Sequence, residues 1–441
     1  GQSREPVTIR MPCLCPPPVC GPAFFGDYGM PGPMRAPLDE LQAILAMHPP
    51  ADPTPAKRQA GPMSHAAPSP VSGRDLRIDL LRGIALVMIF INHIPGNILE
   101  DYTSRNFGFS DAAEAFVLLS GISAGLAYAP WRSRRGGDGS AFRPWARALT
   151  LWWVQALVAL SIYLLLAATA QMAGVAEMAA ARNVAPMLEQ PWDLLLPLLL
   201  MAYQFNCADI LPLYVLFLLA TPGLIFVGAR WPIVLMAASA ALWLAAGWNS
   251  VNLRTWPIDG SWFFNPLSWQ LLFVAGLLIG LAKSRGAALL PVRWWMIVPA
   301  IAFLAFSAIW MLAPDLADRG YSSLWDLQQK LGTPNFITSF DKTYLAPIRV
   351  LHILALAYVL SAWPLLHRIA NSRWSSALTA MGRNALPVFA TGTVLGYVIQ
   401  VIREIFLPPP IFDLALIAVG INLTLLAALM SERASKRRVR R

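Results

Sequence analysis

The chain has 441 residues, of which 56% are hydrophobic and only 13% are charged, about half the charged share of a soluble domain. This composition and the 17 Trp are typical of a membrane protein, and they exclude a soluble enzyme, a disulfide-rich secreted module and a disordered chain. The net charge of +10 comes from basic residues in alternate loops and at the C-terminus, so no nucleic-acid partner is expected.

Residues 1–72 are rich in proline and contain no apolar run of membrane length, which predicts a disordered N-terminal tail. Cys13, Cys15 and Cys20 lie in this tail without a fourth ligand close by, so we expect no metal site. We expect residues 73–430 to form the membrane domain and 431–441 to form a basic cytoplasmic tail.

Apolar runs long enough to cross the hydrocarbon core predict an all-α, polytopic transmembrane bundle of about ten helices. The predicted spans are 76–97, 112–130, 145–170, 210–228, 231–248, 266–283, 294–313, 346–364, 385–403 and 411–430. A shorter apolar stretch at 193–205, interrupted by Pro197, is predicted to be a re-entrant or interfacial helix.

The distribution of charge predicts which side of the membrane each loop occupies. With the tail inside, the inside loops, their helix ends and the C-terminus carry 18 Lys and Arg against two acids. The outside loops and nearby helix ends carry eight Lys and Arg against 15 acids. This asymmetry follows the positive-inside rule and predicts that both termini are cytoplasmic.

Ionisable side chains inside a span are costly and therefore indicate function. On the first span, His93 lies about 40° from Asp79 and about 20° from Arg82 around the helix, and Asn97 returns to the direction of Asp79. Arg82 and His93 are separated by about 16 Å of helical rise. This polar stripe suits an elongated substrate with an anion near Arg82 and chemistry at His93. An interfacial arginine and a structural core histidine are the alternatives.

Glu114 and Asp111 begin the second span at about the depth of His93. Either carboxylate could orient the imidazole, or it could simply stabilise the positive end of the helix. Gly121 and Gly125 form a small-residue ridge that predicts close helix packing.

Two further groups of polar residues are candidates for binding. Arg349 and His352 lie one turn apart on the eighth span and share a face. Five arginines gather in one inside loop and at the start of the third span, where they would attract phosphate anions or only set the topology. They are Arg132, Arg134, Arg135, Arg143 and Arg147.

Several of these residues resemble known family motifs. Arg82, ten further residues and His93 resemble the R-x10-H signature of the acyltransferase 3 superfamily. The run Glu114-Ala-Phe116-Val-Leu-Leu-Ser120-Gly121 resembles its second-helix pattern. The longer pattern is similar to the OpgC branch, whose members succinylate osmoregulated periplasmic glucans. The segments that carry this similarity are 77–83, 93–97, 105–114, Asp209-Ile-Leu-Pro-Leu-Tyr214 and Gly382-Arg-Asn384-Ala-Leu-Pro387.

The resemblance implies a multi-pass O-acyltransferase of the cell inner membrane. It would take an acyl group from cytoplasmic acyl-CoA, with succinyl-CoA as the expected donor, and transfer it to hydroxyls of periplasmic glucans. Acyl-CoA would be a co-substrate, and no permanently bound cofactor is expected. The alternatives are acetyl transfer to an exopolysaccharide or lipid-linked sugar, the same acyl transfer to another acceptor such as lipopolysaccharide, and a transporter or flippase. Whether the protein forms a homo-oligomer in the lipid bilayer is left open.

The resemblance also implies roles for individual residues. His93 would be central to transfer, as general base or as acyl carrier, with Glu114 and then Asp111 as its partners. The superfamily's R-x2-R pair has the spacing Arg143-x3-Arg147 here, which leaves open which arginine meets the donor. The predicted donor-binding residues are Arg82, Arg143, Arg147 and Asp79. The predicted acceptor-binding or supporting residues are Asn97, Asp209, Arg349, His352 and Asn384.

Overall fold

A computed structural model describes residues 74–128, 142–172, 174–289, 291–406 and 409–439. The predicted N-terminal tail and the basic loop with Arg132, Arg134 and Arg135 lie outside the described residues. Within the described ranges the fold is helical, and the strand-like pairing consists of a single bridge between Arg254 and Ser261. The predicted all-α class is confirmed for this part of the chain.

Most of the long helices follow the apolar segments of the sequence, and the connections contain short helices and one longer polar helix, Pro314–Leu331. In chain order they are α1 Leu76–Asn92, α2 Ala112–Tyr128, α3 Phe142–Thr169, α4 Val175–Ala181, α5 Ala185–Glu189, α6 Pro191–Leu199, α7 Ile210–Arg230, α8 Pro232–Trp248, α9 Pro266–Ser284, α10 Trp294–Leu312, α11 Pro314–Leu331, α12 Asn335–Thr338, α13 Pro347–Ala362, α14 Pro364–Ala370, α15 Ser376–Arg383, α16 Ala385–Phe406 and α17 Pro410–Val439.

Six of these helices are long and apolar enough to cross a membrane: α3, α7, α9, α10, α16 and α17. Helices α13 and α14 make a seventh if they are counted as one span with a bend of 78°. Helices α2 and α8 are apolar but shorter, with 17 residues each. The structure therefore supports a helical membrane protein, and the number of ten spans stays a prediction.

The first helix is shorter than predicted. It ends at Asn92, with His93 as its C-cap, rather than continuing to residue 97. Pro95 lacks the backbone N–H that a helix needs, and Gly96 adopts a φ of +71°, which continues no α-helix. The prediction that Asn97 shares a helix face with Asp79 is therefore wrong.

Helices α2 and α9 approach each other closely along two glycine ridges. A Cβ at Gly121 would lie 2.2 Å from Phe273 O, and a Cβ at Gly276 would lie 2.2 Å from Leu118 O. Gly125 and Gly280 repeat the contact one turn further on. The predicted packing role of the Gly121–Gly125 ridge is confirmed, because only glycine lets the two backbones meet at this distance.

We expect Gly276→Ala to destabilise the protein by about 1–3 kcal/mol, because the new methyl group must push against backbone on α2. Gly223→Ala on α7 is the matched control, since a Cβ there meets nothing within 4 Å and alanine favours the helix. Thermal unfolding of the detergent-solubilised variants measures both effects. Equal unfolding temperatures for the two variants would contradict the close contact.

Candidate active site

A cavity of about 310 Å³ lies between α1, α2, α9, α13 and α14. Its positions on α1 run from Ile78 to Met88, a rise of about 15 Å. Its long walls are apolar, and polar side chains gather at its two ends. Apart from Ser361, the wall consists of Ile78, Leu81, Ile84, Ala85, Met88, Ala112, Ala115, Leu118, Leu119, Ile122, Ile279, Ile353, Leu356, Ala357, Leu360 and Leu366.

At one end, which we call the Asp75 end, the cavity is lined by Asp75, Arg77 and Lys283. Arg77 Nη2 donates to Asp75 Oδ2 at 2.9 Å, and the Lys283 ammonium also contacts this carboxylate. Burial raises the pKa of the Asp75 carboxyl, but hydrogen bonds and charge from Arg77 and Lys283 outweigh it and hold the pKa below its usual range. The Asp75 end therefore carries two cations and one anion.

The other end, which we call the Ser110 end, is lined by Ser104, Ser110, Asp111 and His352. Ser110 Oγ and His352 Nδ1 are hydrogen-bonded at 2.7 Å. The imidazole lies against Phe109, with ring centroids 6.0 Å apart. An elongated ligand in this cavity would place an anionic group at one end and a reacting group beside a hydroxyl and an imidazole at the other.

A buried ion cluster adjoins the Ser110 end. Arg349 Nε on α13 donates to Glu114 Oε1 on α2 at 2.7 Å, and Lys342 Nζ donates to Asp111 Oδ2 at 2.5 Å. The two carboxylates are also linked through the backbone, because Asp111 N–H donates to Glu114 Oε2 at 3.0 Å. Asp111 in addition accepts from the N–H of Ala113 in the first turn of α2, as predicted for an acid at a helix start.

The structure places His93 apart from these carboxylates. Its ring packs edge-on against Phe389 of α16, with centroids 6.3 Å apart, and its backbone oxygen accepts from Gln400 Nε2 at 2.7 Å. Among the described residues, neither Glu114 nor Asp111 hydrogen-bonds the ring. The catalytic role of His93 stays a prediction, and Glu114 is paired with Arg349 instead of orienting the imidazole.

Arg82 and Asp79 lie on the face of α1 that packs against protein rather than on the cavity face. Arg82 Nη2 donates to Leu119 O at 3.0 Å and also contacts the Ser123 hydroxyl. Asp79 accepts two hydrogen bonds from Arg74, at 2.6 and 2.8 Å. On a helical projection the polar stripe lies roughly 100–160° from the α1 residues that line the cavity. Arg82 and Asp79, which the sequence predicts to bind the acyl-CoA donor, are thus both paired with groups of the protein itself.

The remaining predicted residues lie in varied surroundings. Arg143 and Arg147 are exposed near the start of α3 and do not line the cavity. Asn97 closes the end of α1 through hydrogen bonds to Ile91 O and Ile94 O, and Asn384 Nδ2 donates to Ala380 O at 2.9 Å at the end of α15. Asp209 is buried immediately before α7. Their contribution to acceptor binding stays a prediction.

Sequence reasoning singles out Asp111 and His352 at the Ser110 end of the cavity but misses Ser110 itself, and it misses Arg77 and Lys283 at the Asp75 end. Arg77 and Lys283 were not singled out because they lie at predicted helix ends, where cations are common. Ser110 carries no signal of its own, and its partner His352 lies 242 residues further along the chain. Within the described part of the chain, no three His, Cys, Asp or Glu side chains are arranged to hold a metal ion.

The fold is that of a helical membrane protein, and an elongated cavity with polar ends lies between its helices. A family model described as OpgC protein matches residues 74–436. The chain therefore belongs to the OpgC family. No curated protein and no solved structure matches the sequence.

We expect Glu114→Ala and Arg349→Ala each to destabilise the protein by about 3–5 kcal/mol. Arg349→Ala leaves the buried Glu114 carboxylate without its cation, and Glu114→Ala leaves Arg349 with only its longer contact to Asp111, at 3.8 Å. The double variant should cost less than the sum of the two single variants. Glu432→Ala, which breaks the partly exposed pair with Arg383, is the control and should cost about 0–1 kcal/mol. Denaturation of the wild type, the two single variants and the double variant measures these losses of unfolding free energy. If the loss in the double variant equals the sum of the two single losses, the two charges are not coupled.

Proposed function

We propose that the protein is a membrane O-acyltransferase that moves an acyl group from acyl-CoA to hydroxyls of a periplasmic glucan. Membership of the OpgC family supports this activity. The observation that carries it is the cavity, which has two cations at the Asp75 end and a hydroxyl, an imidazole and a carboxylate at the Ser110 end. Acyl-CoA has the matching shape, with phosphates at one end of a long arm and a thioester at the other.

We further propose ten spans with both termini cytoplasmic in the cell inner membrane. The charge asymmetry of the loops supports this topology. Helices α1, α2 and α8, together with the bent α13–α14 pair, would then join the six longer spans. The Asp75 end would face the cytoplasm, where acyl-CoA is found, and the Ser110 end would face the periplasm. A C-terminal reporter active only in the periplasm would overturn this topology.

Purified protein in lipid vesicles provides the direct test of the reaction. Given succinyl-CoA and unsubstituted periplasmic glucan, it should yield glucan whose mass has increased by one or more succinyl groups. Acetyl-CoA in a parallel reaction tests the alternative acyl group, and an exopolysaccharide tests the alternative acceptor. If the protein consumes neither succinyl-CoA nor acetyl-CoA with any of these acceptors, the proposed function is contradicted.

The cavity favours Arg77 and Lys283 as the residues that meet the donor phosphates. We expect Arg77→Ala/Lys283→Ala to weaken acyl-CoA binding by at least about tenfold, or about 1.4 kcal/mol, and Asp75→Asn to tighten it because the competing anion is removed. The comparison variant is Arg143→Ala/Arg147→Ala, which removes the two arginines that the sequence predicts to bind the acyl-CoA donor. Equilibrium binding of radiolabelled succinyl-CoA measures all three. A loss confined to the Arg143/Arg147 variant would place the phosphates at α3.

We propose that His93 accepts the proton of the acceptor hydroxyl as the new ester bond forms, since neutral imidazole suits this task near pH 7. We expect His93→Gln to reduce glucan acylation by about 10²–10⁴-fold, with normal protein accumulation and acyl-CoA binding. His367→Gln, on an exposed face of α14, is the control and should leave the rate unchanged. A reduction below tenfold in the His93 variant would reject the role.

A further inference from the structure

We propose that Ser110 is the nucleophile that first receives the acyl group and that His352 is the base that activates it. Transfer would then pass through a covalent acyl-serine. This step rests on the proposed acyltransferase function and deepens it, since it divides the reaction into two half-reactions.

The first support is the pairing of a hydroxyl and an imidazole at the end of the cavity. Ser110 is 3% exposed and His352 is 5% exposed, yet both line the cavity. Their hydrogen bond of 2.7 Å is within the range that allows an imidazole to take the proton of an attacking hydroxyl. A ligand in the cavity would therefore lie next to this hydroxyl and imidazole.

The second support is the rigidity of the imidazole. Gly108 lies so close that a Cβ there would be 2.2 Å from His352 Nε2, and the rings of Phe109 and Phe303 pack against the imidazole with centroids 6.0 and 6.2 Å away. Arg349, one turn earlier on α13, is held by Glu114, so its charge is compensated. The ring is therefore held in the orientation that meets Ser110, which is the preorganisation that nucleophilic catalysis requires.

The third support is the position of His93 relative to the cavity. Ser110 and His352 line the cavity, whereas His93 does not. Viewed along the axis of α1, the C-cap residue His93 lies roughly 125° around the helix from the residues of α1 that line the cavity. A thioester delivered along the cavity would therefore meet Ser110 before it could meet an acceptor held at His93. A serine ester would let donor and acceptor react one after the other, without occupying the site together.

In the first half-reaction, Ser110 Oγ attacks the thioester carbonyl, and its proton passes to His352. The carbon–sulfur bond breaks, and coenzyme A leaves as the thiol with the proton from His352. In the second, the acceptor hydroxyl attacks the serine ester and the bond from the acyl carbon to Ser110 Oγ breaks. His93 takes up the proton of the acceptor hydroxyl and passes it to water, and His352 takes a proton from water and delivers it to Ser110 Oγ, so both imidazoles end neutral. No oxidant, reductant or metal is required.

The experiment incubates the purified protein with radiolabelled succinyl-CoA, and in parallel with labelled acetyl-CoA, before glucan is added. The wild type should carry the label on the peptide containing Ser110, as found by mass spectrometry, and should release it to glucan in a chase. Ser110→Ala should bind acyl-CoA as the wild type does, take up no label and lose at least about 10²-fold in transfer. Ser307→Ala is the matched control, because this buried hydroxyl bonds Leu304 O away from the cavity.

Ser110→Cys keeps a nucleophile and guards against misfolding of the alanine variant. It should be labelled through a thioester that neutral hydroxylamine cleaves, and His352→Gln should be labelled far more slowly. Glucan acylation by Ser110→Ala at the wild-type rate would overturn the acyl-serine and leave the acyltransferase function standing. A wild type that neither binds nor consumes acyl-CoA would instead defeat the proposed function, and this step with it.

Discussion

The ion pair between Glu114 and Arg349 holds the Ser110 end of the cavity together. Glu114 is fully buried and Arg349 nearly so, and a charge left alone in such surroundings would cost several kcal/mol. The pair joins α13 to α2. His352 lies one turn beyond Arg349 and Ser110 lies just before α2, so the same interaction brings the imidazole to the hydroxyl. The Lys342–Asp111 pair reinforces this junction from the preceding loop.

The close contact between the glycines of α2 and α9 forms another side of the cavity. Because Gly121 and Gly276 let the two backbones touch, α2 lies directly against α9, and Lys283 at the end of α9 reaches Asp75 at the start of α1. The cavity is thus bordered by an ion pair at one end, by cations around a carboxylate at the other, and by tight backbone packing along one side.

The sequence predicts the membrane-length helices because each contains a long apolar run, but it does not predict the polar helix α11. It predicts the glycine ridge because small residues four apart allow close packing of helices. It predicts polar residues within the first helix but not the surfaces that they face. Arg82 meets backbone oxygens, and His93 meets Phe389 rather than Glu114. The cavity lies on the other side of α1, where the residues are ordinary apolar ones. Ser110 and His352 meet only through tertiary packing, which no local pattern encodes.

The central claim is that the cavity between α1, α2 and α13 is the path of the acyl donor. The most direct measurement is an experimental structure of the protein bound to an acyl-CoA analogue whose thioester is replaced by an unreactive thioether. We expect the arm to lie along Ile78 to Met88, with phosphates beside Arg77 and Lys283 and the acyl group beside Ser110 and His352. An analogue bound outside this cavity, with its phosphates at Arg143 and Arg147 of α3, would contradict the account.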